Sequence, residues 1–320
     1  MYPNLSYILH DLIGTDYDNL TRFVQTFGLF LALAFLTAAY FLFLELKRKK
    51  NLFPYRLIKE ENGNMRESYP HERVGDMTMI AAISGMLGAK IFAIFESAKD
   101  VKDFLNDPIH VFFSPGGLAI YGGLIFGFIS VFWFVTRTLK MNALHAMDAF
   151  APSMILGYGV GRIGCQLSGD GDWGIVSSQK PSGWFLPDWL WSFDYPRNVV
   201  HEGVPIEGLK AEYFQHLVPG VYPTPIYEMV MAFAIGGFLW SIRKRIQIPG
   251  LLFMIYMILN GIERYFIEKI RVNSKFQAFG LSFTQAEFIA IVVFLVGIIG
   301  AFILLYRNKK IIKDSTPPVL

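Results

Sequence analysis

A single cysteine, Cys165, stands in 320 residues, so the chain has no intramolecular disulfide, no zinc cluster and no Cys-x-x-Cys redox pair. Charge is also sparse. Asp, Glu, Lys and Arg make up 17% of the residues, and 29 basic against 26 acidic side chains leave a net charge of +3. That excess is spread over loop ends and forms no basic face, which argues against a nucleic-acid partner. There is no Walker loop, dinucleotide fingerprint or His-Glu-x-x-His, so no nucleotide, metal or other cofactor is expected. No repeat of 20–50 residues is visible, which disfavours a transporter built on inverted repeats. The first 20 residues hold Asp11, Asp16 and Asp18 but no Lys or Arg. They lack the basic n-region of a cleavable signal peptide, and the first apolar run is expected to direct insertion itself.

What the chain has in abundance is apolar length. Hydrophobic residues are 53% of the total, mean hydropathy is +0.39, and runs long enough to cross a bilayer recur throughout. A hydrocarbon core of about 30 Å needs roughly 20 apolar residues in a helix. Seven runs qualify: 25–45, 77–96, 116–136, 146–163, 225–242, 249–267 and 284–306. The expected fold is an all-α polytopic membrane protein of seven transmembrane helices, in three parts. Residues 1–24 form an external N-terminal segment. Residues 25–306 form the transmembrane domain, with an external cap at 172–222 and a polar cytoplasmic loop at 47–75. Residues 307–320 form a cytoplasmic tail. Of the 29 basic residues, 17 fall in one set of loops, among them Lys47 to Lys50, Arg137, Lys140, Arg243 to Arg245 and Arg307 to Lys313. Cytoplasmic loops retain Lys and Arg, so the N-terminus is expected outside and the C-terminus inside. Trp173, Trp184, Trp189, Trp191 and Tyr195 in the cap suit the headgroup layer, where one end of a ring is apolar and the other wet.

Lys90, Arg162 and Arg264 lie within or at the ends of these runs. A charge near the bilayer centre costs roughly 2.5–3.5 kcal/mol on insertion scales, so each needs a reason. Lys90 can snorkel along its aliphatic stem. Arg162 is carried out of a Gly-rich run into a Gly/Asp loop, and its guanidinium calls for either a structural carboxylate or a lipid phosphate, which a planar fork grips with two parallel hydrogen bonds. In the segment 261–271, GIERYFIEKIR, the residues Arg264, Glu268 and Arg271 fall at i, i+4 and i+7 on one helical face. Two cations flanking one anion leave a net positive charge, which a phosphodiester would fill. The Gly-Gly pair beside Tyr121 serves either close approach of lipid or helix packing through small residues.

Taken together these segments resemble the prolipoprotein diacylglyceryl transferases, over nearly all of the spans. The family's Gly-Arg-x-Gly signature is Gly161 to Gly164, preceded by Asp148 to Pro152. Its Gly-Gly pairs are Gly116–Gly117 and Gly122–Gly123, its Pro-x-x-x-Tyr-Glu element is Pro223 to Glu228, and its late Gly-x-x-Arg pattern is Gly261, Arg264, Glu268 and Arg271. Four positions depart from the best-studied branch: Tyr121 replaces a histidine, Cys165 an asparagine, Asp170 a glutamate, and Asn260 a tyrosine. The resemblance implies a multi-pass protein of the bacterial cytoplasmic (inner) membrane. Its activity would be transfer of the diacylglyceryl group of phosphatidylglycerol to the lipobox cysteine of prolipoprotein signal peptides, with release of glycerol phosphate.

Attack at a saturated carbon with a phosphate leaving group is helped most by cations placed where charge accumulates. Arg162 and Arg264 are the expected clamp, Arg271 an outer steering charge, and Glu268 the residue holding the arginines. Gly122, Gly123, Gly169 and Gly174 are expected at the substrate site, with Asp170 or Tyr121 receiving the thiol proton. Cys165 is expected as a small packing residue beside the Arg162 loop. The loss of the histidine keeps open a second reading, a catalytically inactive relative that binds or moves phosphatidylglycerol.

Overall fold

The computed structural model describes residues 1–59, 65–113, 119–209, 211–272, 275–278 and 281–315. Gly116 and Gly117 lie outside the described residues. Each expected run falls on a helix within about five residues of its predicted bounds, except that the last continues nine residues past its expected end at 306: α2 (Thr26–Arg48), α3 (Val74–Ile94), α6 (Ile120–Trp133), α7 (Ala143–Ser168), α8 (Thr224–Ile242), α9 (Leu251–Glu268) and α10 (Gln285–Ser315). Shorter helices are α1 (Leu5–Ile13), α4 (Ala98–Asn106) and α5 (Pro108–Phe113).

Among the described residues, five helical segments, Thr26–Arg48, Pro70–Ile94, Tyr121–Thr138, Thr224–Ile242 and Gln285–Lys309, are long and apolar enough to cross a membrane. Their apolar side chains are turned outward in numbers unusual for a water-facing surface: Leu36 is 63% exposed on α2 and Phe302 69% on α10. α9 is outside that group because it carries Glu263, Arg264 and Glu268 within 18 residues. α7 carries Asp148 and Arg162 among glycines. α7 and α9 thus carry Arg162 and Arg264 inside otherwise apolar runs.

Beyond the helices, the described residues form three two-stranded antiparallel pairs: β1 (Arg56–Lys59) with β2 (Met65–Ser68), β3 (Val204–Pro205) with β4 (Gln215–His216), and β5 (Lys275–Ala278) with β6 (Leu281–Thr284). The sequence reading anticipated no strands. Each pair is short and lies in a connecting segment, with no hydrophobic run of its own to signal it.

The chain divides into two compact units. Residues 39–149 form one. Within it α3 and α6 pack through glycines: a Cβ on Gly122 would lie 2.2 Å from the carbonyl oxygen of Gly88, and one on Gly123 3.1 Å from that of Gly85. Of the two readings of the Gly-Gly pair, this contact favours helix packing. Lys90 is buried here, its ammonium 3.4 Å from the carbonyl of Val111, and does not reach out to solvent.

The other unit comprises residues 1–38 and 150–320. Ile155, Ala232, Leu239 and Leu252 form a buried core between α7, α8 and α9. Residues 169–223 have a core of their own, made of Trp173, Tyr195, Leu217 and Val221. Trp173 and Tyr195 are therefore interior rings, which corrects their reading as interfacial anchors. The Tyr195 hydroxyl donates to Gln166 at 2.7 Å, and burial raises its proton affinity above the ordinary tyrosine range. α1 lies against this segment: Arg197 pairs with Asp11 at 2.8 Å, and the Tyr7 hydroxyl accepts from the backbone of Tyr213.

Candidate active site

α7 begins with Asn142, whose side chain accepts from the backbone N–H groups of Leu144 and His145, as an N-cap does. It stops at Gly169, which takes a left-handed φ of +65° and donates to the carbonyl of Cys165. Gly171 follows at φ +94°. Such angles favour glycine. Together the two glycines reverse the chain, so that Asp172 returns to the helix it has just left. The backbone N–H of Asp172 bonds to the Asp170 carboxylate at 3.2 Å, tightening the turn. The Gly-Asp-Gly-Asp run is thus a device for bringing a carboxylate back to Arg162.

Arg162 donates to Asp172 and, at 2.9 Å, pairs with Glu228, which is fully buried one turn into α8. Arg271 reaches the same two carboxylates, Asp172 at 2.5 Å and Glu228 at 3.4 Å. Its position is set by a backbone bridge between Gly174 and Arg271, supported by Ile175 N–H to the Ile270 carbonyl at 2.8 Å. Gly174 is required there because a Cβ would stand 2.5 Å from that carbonyl. Arg264 meets Glu228 at 3.6 Å and Glu268 at 3.5 Å. Both distances exceed an ordinary hydrogen bond. Glu268 is anchored by the Thr284 hydroxyl at 2.7 Å. Thr284 and Glu287 form a reciprocal capping box at the start of α10. Tyr158 donates its hydroxyl to Glu228, and the Arg162 guanidinium lies 4.9 Å from the Tyr158 ring centroid.

Three guanidiniums therefore converge on one buried carboxylate, Glu228. Arg162, Arg264 and Arg271 are balanced by Asp172, Glu228 and Glu268, three charges against three. The sequence reading of two cations around one anion missed Asp172 and Glu228. Arg271 is also less peripheral than an outer steering charge, being 12% exposed and paired on both sides. Glu228 had a signal in its Tyr-Glu element at the head of an apolar helix. Asp172 had only its place in the Gly/Asp run.

Cys165 is buried and lies 3.6 Å from the Arg162 guanidinium, in the packing position expected of it. Asp170 faces Cys165 and Asp172 and makes no ion pair with the arginines among the described residues. Burial and the neighbouring Asp172 push its carboxyl above the usual carboxylate range. Burial opposes ionisation of Asp172 too, but Arg162 and Arg271 outweigh it and hold that carboxyl below the usual range. Gly169 packs against Asn198, with a Cβ there 2.9 Å from that side chain. Tyr121, Gly122 and Gly123 belong to the other unit, with Tyr121 45% exposed at the start of α6.

A buried cluster of arginines and carboxylates among helices long and apolar enough to cross a membrane marks a multi-pass membrane protein with a charged interior site. A family model for prolipoprotein diacylglyceryl transferase matches residues 20–303, and the chain belongs to that family. It is 28% identical over 255 residues to the phosphatidylglycerol--prolipoprotein diacylglyceryl transferase of Clostridium botulinum (strain Loch Maree / Type A3), covering 79% of this chain and 89% of the relative. It is 25% identical over 364 aligned positions to the enzyme of the same name from Leptospira interrogans serogroup Icterohaemorrhagiae serovar copenhageni (strain Fiocruz L1-130), covering 98% and 97%.

Proposed function

We propose that this protein transfers the diacylglyceryl group of phosphatidylglycerol to the lipobox cysteine thiol of prolipoproteins, forming a thioether and releasing glycerol phosphate. The observation that carries the reading is the meeting of Arg162, Arg264 and Arg271 at Glu228, in a chain matched along residues 20–303 by the transferase family. The substrates are those named for its relatives in Clostridium botulinum and Leptospira interrogans.

In this reading the chain crosses the bacterial inner membrane seven times with its N-terminus outside, and residues 172–222 cap the site on the outer face. The phosphodiester is held by Arg264 and Arg162. Arg264 has donors to spare, since its ion pairs are the longest in the cluster and its side chain is 29% exposed. Arg162 is fixed by Asp172 and Glu228, and Glu268 orients Arg264. The thiolate sulfur attacks the saturated glycerol carbon, the carbon–oxygen bond to phosphate breaks, and the electron pair leaves with glycerol phosphate. A guanidinium already aimed at the leaving oxygen stabilises that charge without reorganising.

A free cysteine is only a few per cent thiolate at neutral pH, so the proton needs an acceptor. Asp170 and Tyr121 are the two assigned here, and the upward shift of Asp170 favours it, because an acceptor works best with a proton affinity near the working pH. The test is product stoichiometry: purified protein given phosphatidylglycerol and a lipobox peptide should release one glycerol phosphate per thioether formed. Lipid bound but never consumed would instead support a binding relative, the reading that Tyr121 in place of histidine keeps in play.

A further inference from the structure

Glu263 lies on α9 within electrostatic reach of Glu228, Arg264, Arg162 and Arg271 and, among the described residues, joins none of their ion pairs. It is 3% exposed, both its carboxylate oxygens are buried, and among the described residues they accept no hydrogen bond. The next residue, Arg264, turns its guanidinium to Glu228 and Glu268. The groups facing Glu263 are Tyr158 and Arg162 from α7, Glu228 from α8, Tyr256 and Arg264 from its own helix, and Arg271 beyond it. The Tyr158 hydroxyl is already given to Glu228. α10 packs on α9 at Gly261, and its Glu287 is held by Lys269 at 2.5 Å.

A carboxylate buried without donors beside a second carboxylate is opposed both by desolvation and by like charge, whereas the neutral acid escapes the like-charge repulsion and meets only the smaller cost of an unpaired polar group. The charge count gives that state a purpose. Within the ion-paired set, three arginines against Asp172, Glu228 and Glu268 sum to zero, and an ionised Glu263 would add an unpaired negative charge beside an anionic phosphodiester. We propose that Glu263 is a positioning residue that works as a neutral carboxylic acid, keeping the arginine cluster able to accept an anionic lipid headgroup. The proposal rests on the transferase reading for its substrate but not for its protonation state, and the two can be tested apart.

The kinetic readout is the ratio of wild-type to Glu263→Gln kcat/KM for phosphatidylglycerol, followed from neutral to alkaline pH. Loss of the Glu263 proton should lower that ratio by at least about 10-fold, since one added charge at close range in a partly polar interior is worth up to about 10³-fold. A ratio that does not change with pH overturns the proposal, as does a folded Glu263→Gln protein without turnover at any pH. The second readout needs no activity. Difference infrared spectra of wild type against Glu263→Gln in vesicles should show the carbonyl band of a protonated carboxyl at neutral pH, lost as pH rises. Its absence overturns the proposal; its presence in a protein that transfers nothing would sink the functional reading alone. Should Glu263→Gln fail to fold, Glu263→Asp serves, with a shifted band as the expected result and an unshifted one as the contrary.

Discussion

Asp172 and Glu228 hold the same two guanidiniums between them: each carboxylate touches both Arg162 and Arg271. One carboxylate arrives on a glycine-made reversal after α7 and the other on α8, while Arg271 lies just beyond α9. Three segments of the chain are thus tied at one point.

Removing Glu228 should be the most damaging change in the cluster. Its side chain is fully buried and meets three arginines, and truncating one partner of a buried ion pair costs about 3–5 kcal/mol. Glu228→Ala is expected to lower the thermal midpoint sharply in a detergent melt, and Glu228→Gln, which keeps the volume, to lower it less. Equal midpoints for wild type and Glu228→Ala would mean that the three arginines do not depend on it.

The two aspartates of the loop should give opposite pH dependences. Asp172 is held below the ordinary carboxylate range, so the stability it contributes is present above its unfolded value of about 3.9 and is lost as pH falls through the lower folded value. The stability gap between wild type and Asp172→Asn should therefore close in acid. Asp170 is raised, so its contribution is full below the unfolded value and is lost as pH rises through the folded one. Asp170→Asn should then be the more stable protein at neutral pH. Melts of both variants from acid to neutral pH check the two signs together.

Asp170→Asn should also lower turnover by about 10²-fold or more, the range for a lost general base, while Tyr121→Phe should leave a smaller mark. Single-turnover rates separate the two. A Tyr121→Phe enzyme with the larger loss would reassign the proton acceptor.

Glycine substitutions should sort by geometry. Gly174→Ala places a Cβ 2.5 Å from the Ile270 carbonyl and must shift the bridge that positions Arg271. Overpacking of this kind costs about 1–3 kcal/mol, and the displaced arginine should raise KM for the lipid. Gly237→Ala meets nothing within 4 Å on α8 and should be neutral in both assays.

Helices were largely legible in the sequence because a bilayer imposes length and apolarity, and those leave a strong imprint on composition. α2 and α8 could be bounded to within a few residues by that criterion, whereas α10 carries on nine residues past its apolar stretch into a charged end. The arginines were legible for the complementary reason: a guanidinium in an apolar run demands an explanation. Their partners were harder to see. Asp170 and Asp172 differ by two positions, and only the left-handed turns at Gly169 and Gly171 decide which of them returns to Arg162. The convergence of Glu228 on three arginines is a product of helix packing between α7, α8 and α9, which local pattern does not encode. Trp173 and Tyr195 looked like interfacial rings for the same reason, since their composition suits either the headgroup layer or the small core they actually fill.

The most direct test of the account is transfer of labelled diacylglyceryl from phosphatidylglycerol to a lipobox peptide by the wild-type protein, Arg162→Ala and Arg264→Ala, each first shown to be folded by its thermal melt. The account predicts thioether formation by wild type and a loss of about 10²-fold or more in each variant, by analogy with removal of a single charge-stabilising donor. Wild-type rates in either folded variant, or lipid binding by the wild-type protein without any thioether, would contradict it.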